Sequence, residues 1–181
     1  MTLETGGSTM PKKAPAMPWS KPFVVYMFLV VCLVSPLFGG AAAYLSLKLF
    51  MLAQGQQVWF FCFVAAFASL LVGPFFWWLI VIRPRHLTAG SGAWVGVAGS
   101  LSAHPLTWLL AFGISYLTGS RGVLFLEPGL SGLPTVFLSA VFYSYFSLIY
   151  VGWLTTPIGA LAGAGAGWVL ARLAERDKRR R

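Results

Sequence analysis

Charge is scarce in this chain. Asp, Glu, Lys and Arg make up 9% of its 181 residues, against about 25% in a soluble domain. So few charges cannot cover a globular surface, which excludes a water-soluble fold and makes lipid the natural solvent for most of the chain. Acidic residues are scarcest: Glu4, Glu127, Glu175 and Asp177 are all there are, and none lies in an apolar stretch. No pair of carboxylates is therefore placed for general acid–base chemistry. The histidines are His86 and His104 alone, about 27 Å apart if they shared one helix, too far to hold one metal. Cys32 and Cys62, the two cysteines, fall at different depths of two apolar stretches, so no disulfide joins them and each reads as a small hydrophobe. Ser102 and His104 point to different faces of a helix, and nothing orients the histidine as a base. No Cys-x-x-Cys pair, phosphate loop or dinucleotide glycine pattern occurs. Neither an enzyme nor a bound cofactor or metal is expected.

What the chain has instead is 58% hydrophobic residues and a mean hydropathy of +0.79. A helix needs about 20 apolar residues to cross a bilayer core. Four stretches qualify, at about 23–47, 58–82, 91–117 and 146–170. The fold class expected is an all-α integral membrane protein, a four-helix bundle with a membrane domain over 22–173, between a basic tail at 1–21 and another at 174–181. The aromatic stretch "TVFLSAVFYSYF" before the last crossing is expected to be a short helix in the membrane interface, where Tyr and Trp gather. An apolar first stretch ending in "GGAAAY" resembles a signal peptide, but Phe23–Phe38 already exceeds the usual apolar region of one, so an uncleaved span is expected.

Orientation follows from the cations. Lys12, Lys13, Lys21, Arg83, Arg85 and the six from Arg172 to Arg181 fall on one side, with Lys48 and Arg121 on the other. Lys and Arg in short loops stay cytoplasmic, so both termini are expected inside, which needs an even number of crossings. Abundant Gly, Ala, Trp and Arg point to a bacterial inner membrane. Arg83, Arg85, Arg176, Lys178, Arg179, Arg180 and Arg181 are expected to hold anionic lipid headgroups, each contributing about 1 kcal/mol near the surface. The net charge of +9 is explained by the membrane without any nucleic-acid partner.

Small residues recur at spacings of three and four. Gly152, Gly159, Gly163 and Gly167 form a stripe in the last span; Gly92, Gly96 and Gly99 form one in the third, and Gly39 belongs to one in the first. Between membrane helices, where hydrophobicity supplies no attraction, such stripes let backbones approach and gain van der Waals contact. A water-filled pore calls for polar residues along its lining, and the last stripe offers only threonines at one end, so packing is preferred. Each span also carries a proline, Pro36, Pro74, Pro105 and Pro157, which removes a backbone hydrogen bond and shapes the bundle.

His104 is the one ionisable residue near the middle of a span, and such a residue is by default a functional candidate. A neutral imidazole that donates one hydrogen bond and accepts another would serve packing equally well. The connection "TGSRGVLFLEPGLSGLP" carries Arg121 and Glu127 beside apolar residues that suit lipid or a protein partner. Extensive packing with no reactive groups implies a non-catalytic protein that assembles with, stabilises or regulates a larger membrane complex, through a membrane-protein partner or by self-association. The alternative is a small homo-oligomeric transporter or pore, holin-like or conducting protons or small solutes, that uses His104.

Overall fold

The computed structural model describes residues 19–49, 56–118 and 132–179. Among these every regular element is helical: α1 (Lys21–Leu49), α2 (Gln56–Trp77, prolonged by a π-helical turn over Trp78–Ile82), α3 (Ala89–Thr118), α4 (Leu133–Tyr150) and α5 (Gly152–Arg179). Five helices are long and apolar enough to cross a membrane, one more than the four stretches expected. The chain is a multi-pass membrane protein.

The helices start where the sequence can cap them. Ser20 accepts the Phe23 N–H ahead of α1. Before α3, Thr88 and Ser91 exchange bonds reciprocally: the Ser91 N–H donates to Thr88 Oγ1 at 3.1 Å and the Thr88 N–H to Ser91 Oγ at 3.0 Å, the logic of a capping box. Pro134 occupies the first turn of α4, behind Gly132, where its missing N–H costs nothing. Pro36, Pro74, Pro105 and Pro157 each lie inside a helix.

Two seams are built on missing side chains. Between α1 and α2, a Cβ on Gly39 would overlap Ser69, and one on Gly73 would overlap Ser35. Between α3 and α5, Gly92 lies against Gly163 and Gly96 against Gly159, backbone to backbone, while Gly167 abuts the Thr88 carbonyl. The second seam joins every fourth residue of two antiparallel helices, the spacing that lets ridges interlock.

The α4–α5 pair departs from the expected arrangement. Along α3 from its C-terminal end, the neighbours rise in number without reversing. Phe112 packs with Val136 and Ala140, and the Trp108 ring lies 5.0 Å from Tyr143. His104 bonds Ser147 and Thr155, and Gly96 and Gly92 then meet Gly159 and Gly163. Helices α4 and α5 thus follow α3 in one direction, as two halves of a broken helix, rather than doubling back on each other. The crossing expected over 146–170 straddles this break. The aromatic stretch expected in the interface forms most of α4 and packs on the C-terminal half of α3, because Phe61, Trp108, Phe112 and Tyr143 supply an aromatic cluster for it.

At the break Val151 leaves helical geometry (φ −119°, ψ −27°), its N–H shared by the Ser147 and Leu148 carbonyls. The helix restarts as the Leu154 and Thr155 N–H groups both donate to the Val151 carbonyl at 3.0 Å. The Trp153 indole N–H donates to the Tyr150 carbonyl at 2.8 Å, satisfying an oxygen that the interruption frees.

The α1 start, the α2 end, the α3 start and the α5 end meet in one apolar cluster of Met27, Val31, Trp77, Val81, Val95 and Leu170. Lys21, Arg83, Arg85, Arg172, Arg176, Lys178 and Arg179 are all near this end in sequence, whereas Lys48 closes α1 at the opposite one. Arg172 stacks over the Trp168 ring at 4.7 Å. Arg180 and Arg181, the tail at 1–18 and the loop with Arg121 and Glu127 lie outside the described residues.

Candidate functional site

Above the apolar cluster the helices part. A cleft of about 220 Å³ lies between the α1–α2 hairpin and the α3–α4–α5 unit, and all five helices contribute to its wall. Small residues make it: Gly39 and Ala42 on α1, Ala65 and Ser69 on α2, Gly99 and Ala103 on α3, Ala162 on α5. Phe38, also part of the wall, is 46% exposed.

His104 stands in this wall at the α4–α5 break. Its Nδ1 lies 2.6 Å from Ser147 Oγ on α4, and its Nε2 lies 2.8 Å from Thr155 Oγ1 on α5. Thr155 Oγ1 donates in turn to the Val151 carbonyl at 3.3 Å. Because that hydroxyl proton is committed, Thr155 accepts from Nε2–H, and a neutral ring then takes the Ser147 proton at Nδ1. The chain Ser147→His104→Thr155→Val151 therefore clasps both half-helices to α3 across their interruption. Ser100, one turn before His104, adds a bond from its Oγ to the Thr155 carbonyl at 3.3 Å.

The packing residues separate into two groups. Gly92, Gly96, Gly159, Gly163 and Gly167 line the α3–α5 seam, and Gly39 serves the α1–α2 seam. Gly99 does not pack: a Cβ there would meet nothing within 4 Å, because its face turns to the cleft. Gly152 sits at the break, with Leu148 of α4 as its nearest side chain. No cluster of three metal-ligating side chains occurs among the described residues, and Cys32 and Cys62 are free thiols.

One wall residue gave no signal in the sequence. Trp77 is 1% exposed, and its indole N–H has no acceptor, the one such buried side-chain atom among the described residues. The register of His104 was only half legible: the stripe read through Gly92, Gly96, Gly99 and Ala103 left His104 at its flank, whereas the seam runs through Thr88, Gly92, Gly96 and Ser100 to His104.

The chain matches no protein-family model, no curated protein and no solved structure.

Proposed function

We propose that this is a four-pass protein of the bacterial inner membrane, with both ends in the cytoplasm, that carries a small solute through its central cleft. The observation that carries this reading is a cleft walled by every helix, with the one ionisable residue of its wall placed at a helix break. Discontinuous helices at mid-membrane, with polar groups at the interruption, are how many carriers bind their cargo. In this reading α4 and α5 cross the bilayer together as one pass, which gives the even number of crossings that the cation bias requires. The two hairpins rock about the cluster of Met27, Trp77, Val95 and Leu170, which closes the cytoplasmic end.

Spin labels test this without knowledge of the cargo. In a background lacking Cys32 and Cys62, labels replace Leu45 on α1 and Tyr145 on α4, both exposed, in lipid nanodiscs. Two populations of label–label distance are expected there, and one narrow distance between labels at Val25 and Val169, which flank the closed end. A single narrow distance at both pairs overturns the carrier reading.

Assembly with a larger complex, or with further copies, is the second reading. It is favoured by Gly165, which is exposed on α5 with nothing within 4 Å of an added Cβ, as befits a face left for another helix. Fixed-stoichiometry partners in native mass spectrometry of gently extracted protein would support it.

A further inference from the structure

We infer that the cleft is a slot for the extended hydrocarbon chain of a single-chain amphiphile with an anionic head, such as a long-chain carboxylic acid, which enters sideways between α1 and α4. The inference rests on the carrier reading only in taking the cleft as the place of binding; it adds what kind of molecule enters and from which side.

Shape comes first. The wall runs from Val34 to Leu47 on α1 and from Val95 to Trp108 on α3, thirteen residues on each, or about 20 Å at about 1.5 Å per residue. A volume of about 220 Å³ spread over about 20 Å is a mean cross-section of about 11 Å², roughly 3.7 Å across. That is the width of a single file of carbon atoms, which rest about 3.5–4.0 Å from their neighbours. A second helix, at least about 10 Å in diameter, is far too thick, and a compact polycyclic molecule does not fit either. One leaflet's chains fill half of a hydrocarbon core of about 30 Å, or about 15 Å, so the slot takes a whole chain lengthwise.

The lining agrees. The polar groups nearest the helix break are already paired: His104 with Ser147 and Thr155, and Ser100 with the Thr155 carbonyl. Nearer the α1 end, Ser46 donates to the Ala42 carbonyl at 2.7 Å. No Lys, Arg, Asp or Glu lines the slot, so a charge inside would lose its hydration without meeting a counter-charge. Left empty, so narrow a space forfeits van der Waals contacts along its wall; a row of methylenes restores them.

The way in is set by which helices touch. Helix α1 packs on α2 and α5, and α4 packs on α3 and α5. Among the described residues no seam joins α1 to α4, yet Ala43 and Leu47 of α1 and Ser147 of α4 all line the slot. The ring of helices is therefore closed through α5 and open beside α4. At that mouth stands Lys48, exposed and one residue beyond Leu47, leaning over the Tyr44 ring at 6.0 Å. It supplies the cation for an anionic head while the chain lies inside.

The test uses the full chain in lipid nanodiscs and hexadecanoic acid with a mid-chain diazirine, which on illumination loses N₂ and inserts where it lies. Mass spectrometry of the peptides locates the insertions. Saturable insertion at wall residues such as Ala42 and Ala103 is expected, displaced by plain hexadecanoic acid but not by adamantane-1-carboxylate, the same charge on a compact body. Gly99→Leu fills the slot from a position with open space around it; it should abolish wall insertion and spare insertion at lipid-facing Leu161, 74% exposed. The two competitors decide the matter on the unaltered chain even if that variant does not fold. Lys48→Gln should raise the half-displacing concentration of hexadecanoic acid by up to about fivefold and leave that of 1-hexadecanol unchanged. The inference is overturned if hexadecanoic acid fails to displace the label, if adamantane-1-carboxylate displaces it equally, if insertion persists in folded Gly99→Leu, or if Lys48→Gln treats acid and alcohol alike. A diazirine-bearing phosphatidylcholine that labels the same wall and resists hexadecanoic acid overturns it as well, by identifying a two-chain lipid as the occupant. Two label distances without wall insertion would sink the ligand class and leave the carrier reading standing; one distance with wall insertion would do the reverse.

Discussion

A single methyl group placed at two glycines three residues apart separates the seam from the cleft. In Gly96→Ala the new Cβ would lie 2.9 Å from the Ala160 amide nitrogen, and closer still to the Gly159 carbonyl. Carbon atoms rest at about 3.5–4.0 Å, so α3 and α5 must part by roughly 1 Å, and the neighbouring Gly92–Gly163 contact opens with them. Overpacking of this kind costs about 1–3 kcal/mol. In Gly99→Ala the methyl meets nothing within 4 Å and costs no packing. Both substitutions gain the same helix propensity, up to about 1 kcal/mol, so that gain cancels when the two variants are compared. Gly96→Ala should therefore be less stable than Gly99→Ala by about 1–3 kcal/mol. Reversible unfolding in mixed micelles, followed by tryptophan fluorescence as denaturing detergent is added, measures the difference. Two variants within about 0.5 kcal/mol of each other, the ordinary scatter of neutral substitutions, would refute the backbone-to-backbone seam.

The His104 clasp and the orientation can be probed as simply. His104→Phe removes the bonds to Ser147 and Thr155, each worth about 0.6 kcal/mol inside a membrane. Amide exchange over 151–155 should then quicken by about sevenfold with exchange on α3 unchanged, and an unaltered rate at the break would show that the clasp holds nothing. The proposed orientation, with the cation-rich end in the cytoplasm, expects a C-terminal fluorescent-protein fusion to fluoresce and a C-terminal alkaline-phosphatase fusion to stay inactive; the opposite pair of results reverses it.

The membrane class and the small-residue stripes were legible because they rest on composition and on a regular spacing; that the stripe of α3 meets that of α5 was not. Glycine at 92, 96, 159, 163 and 167 announces close approach whatever the neighbours are. The break at Val151 was not legible. No charge or proline interrupts "SLIYVGWL", proline comes only at 157, six residues after Val151, and Gly152 beside the break reads in the sequence as one more member of the small-residue stripe. The contacts of Trp108 with Tyr143 and of His104 with Ser147 and Thr155, which hold the two halves along α3, are visible only in space. The role of Gly99 was hidden for a related reason. It belongs to the same small-residue stripe as Gly96, but the seam follows every fourth residue, and Gly99 falls about 100° from Ser100 at one residue's rotation. The orphaned Trp77 donor depends wholly on what surrounds it in space.

The π-helical turn over Trp78–Ile82 closes with the Arg83 N–H donating to the Trp78 carbonyl at 2.8 Å. Such a turn holds one more residue than an α-helical turn would. Because the turn itself absorbs the extra residue, deleting one of its five lets it rewind as plain α-helix with little change of face, whereas a residue inserted or deleted between Gly73 and Trp77 rotates the rest of α2 by about 100°. With Trp77 and Val81 anchored among Met27, Val95 and Leu170, Gly73 could no longer face Ser35, nor Ser69 face Gly39. Homologous chains descended from a common ancestor should therefore drift freely in the identity of lipid-facing residues on α2 while refusing insertions or deletions between Gly73 and Trp77, and a one-residue gap should be tolerated only within the π-helical turn. Gap placement, more than residue identity, would be the lasting record of this fold.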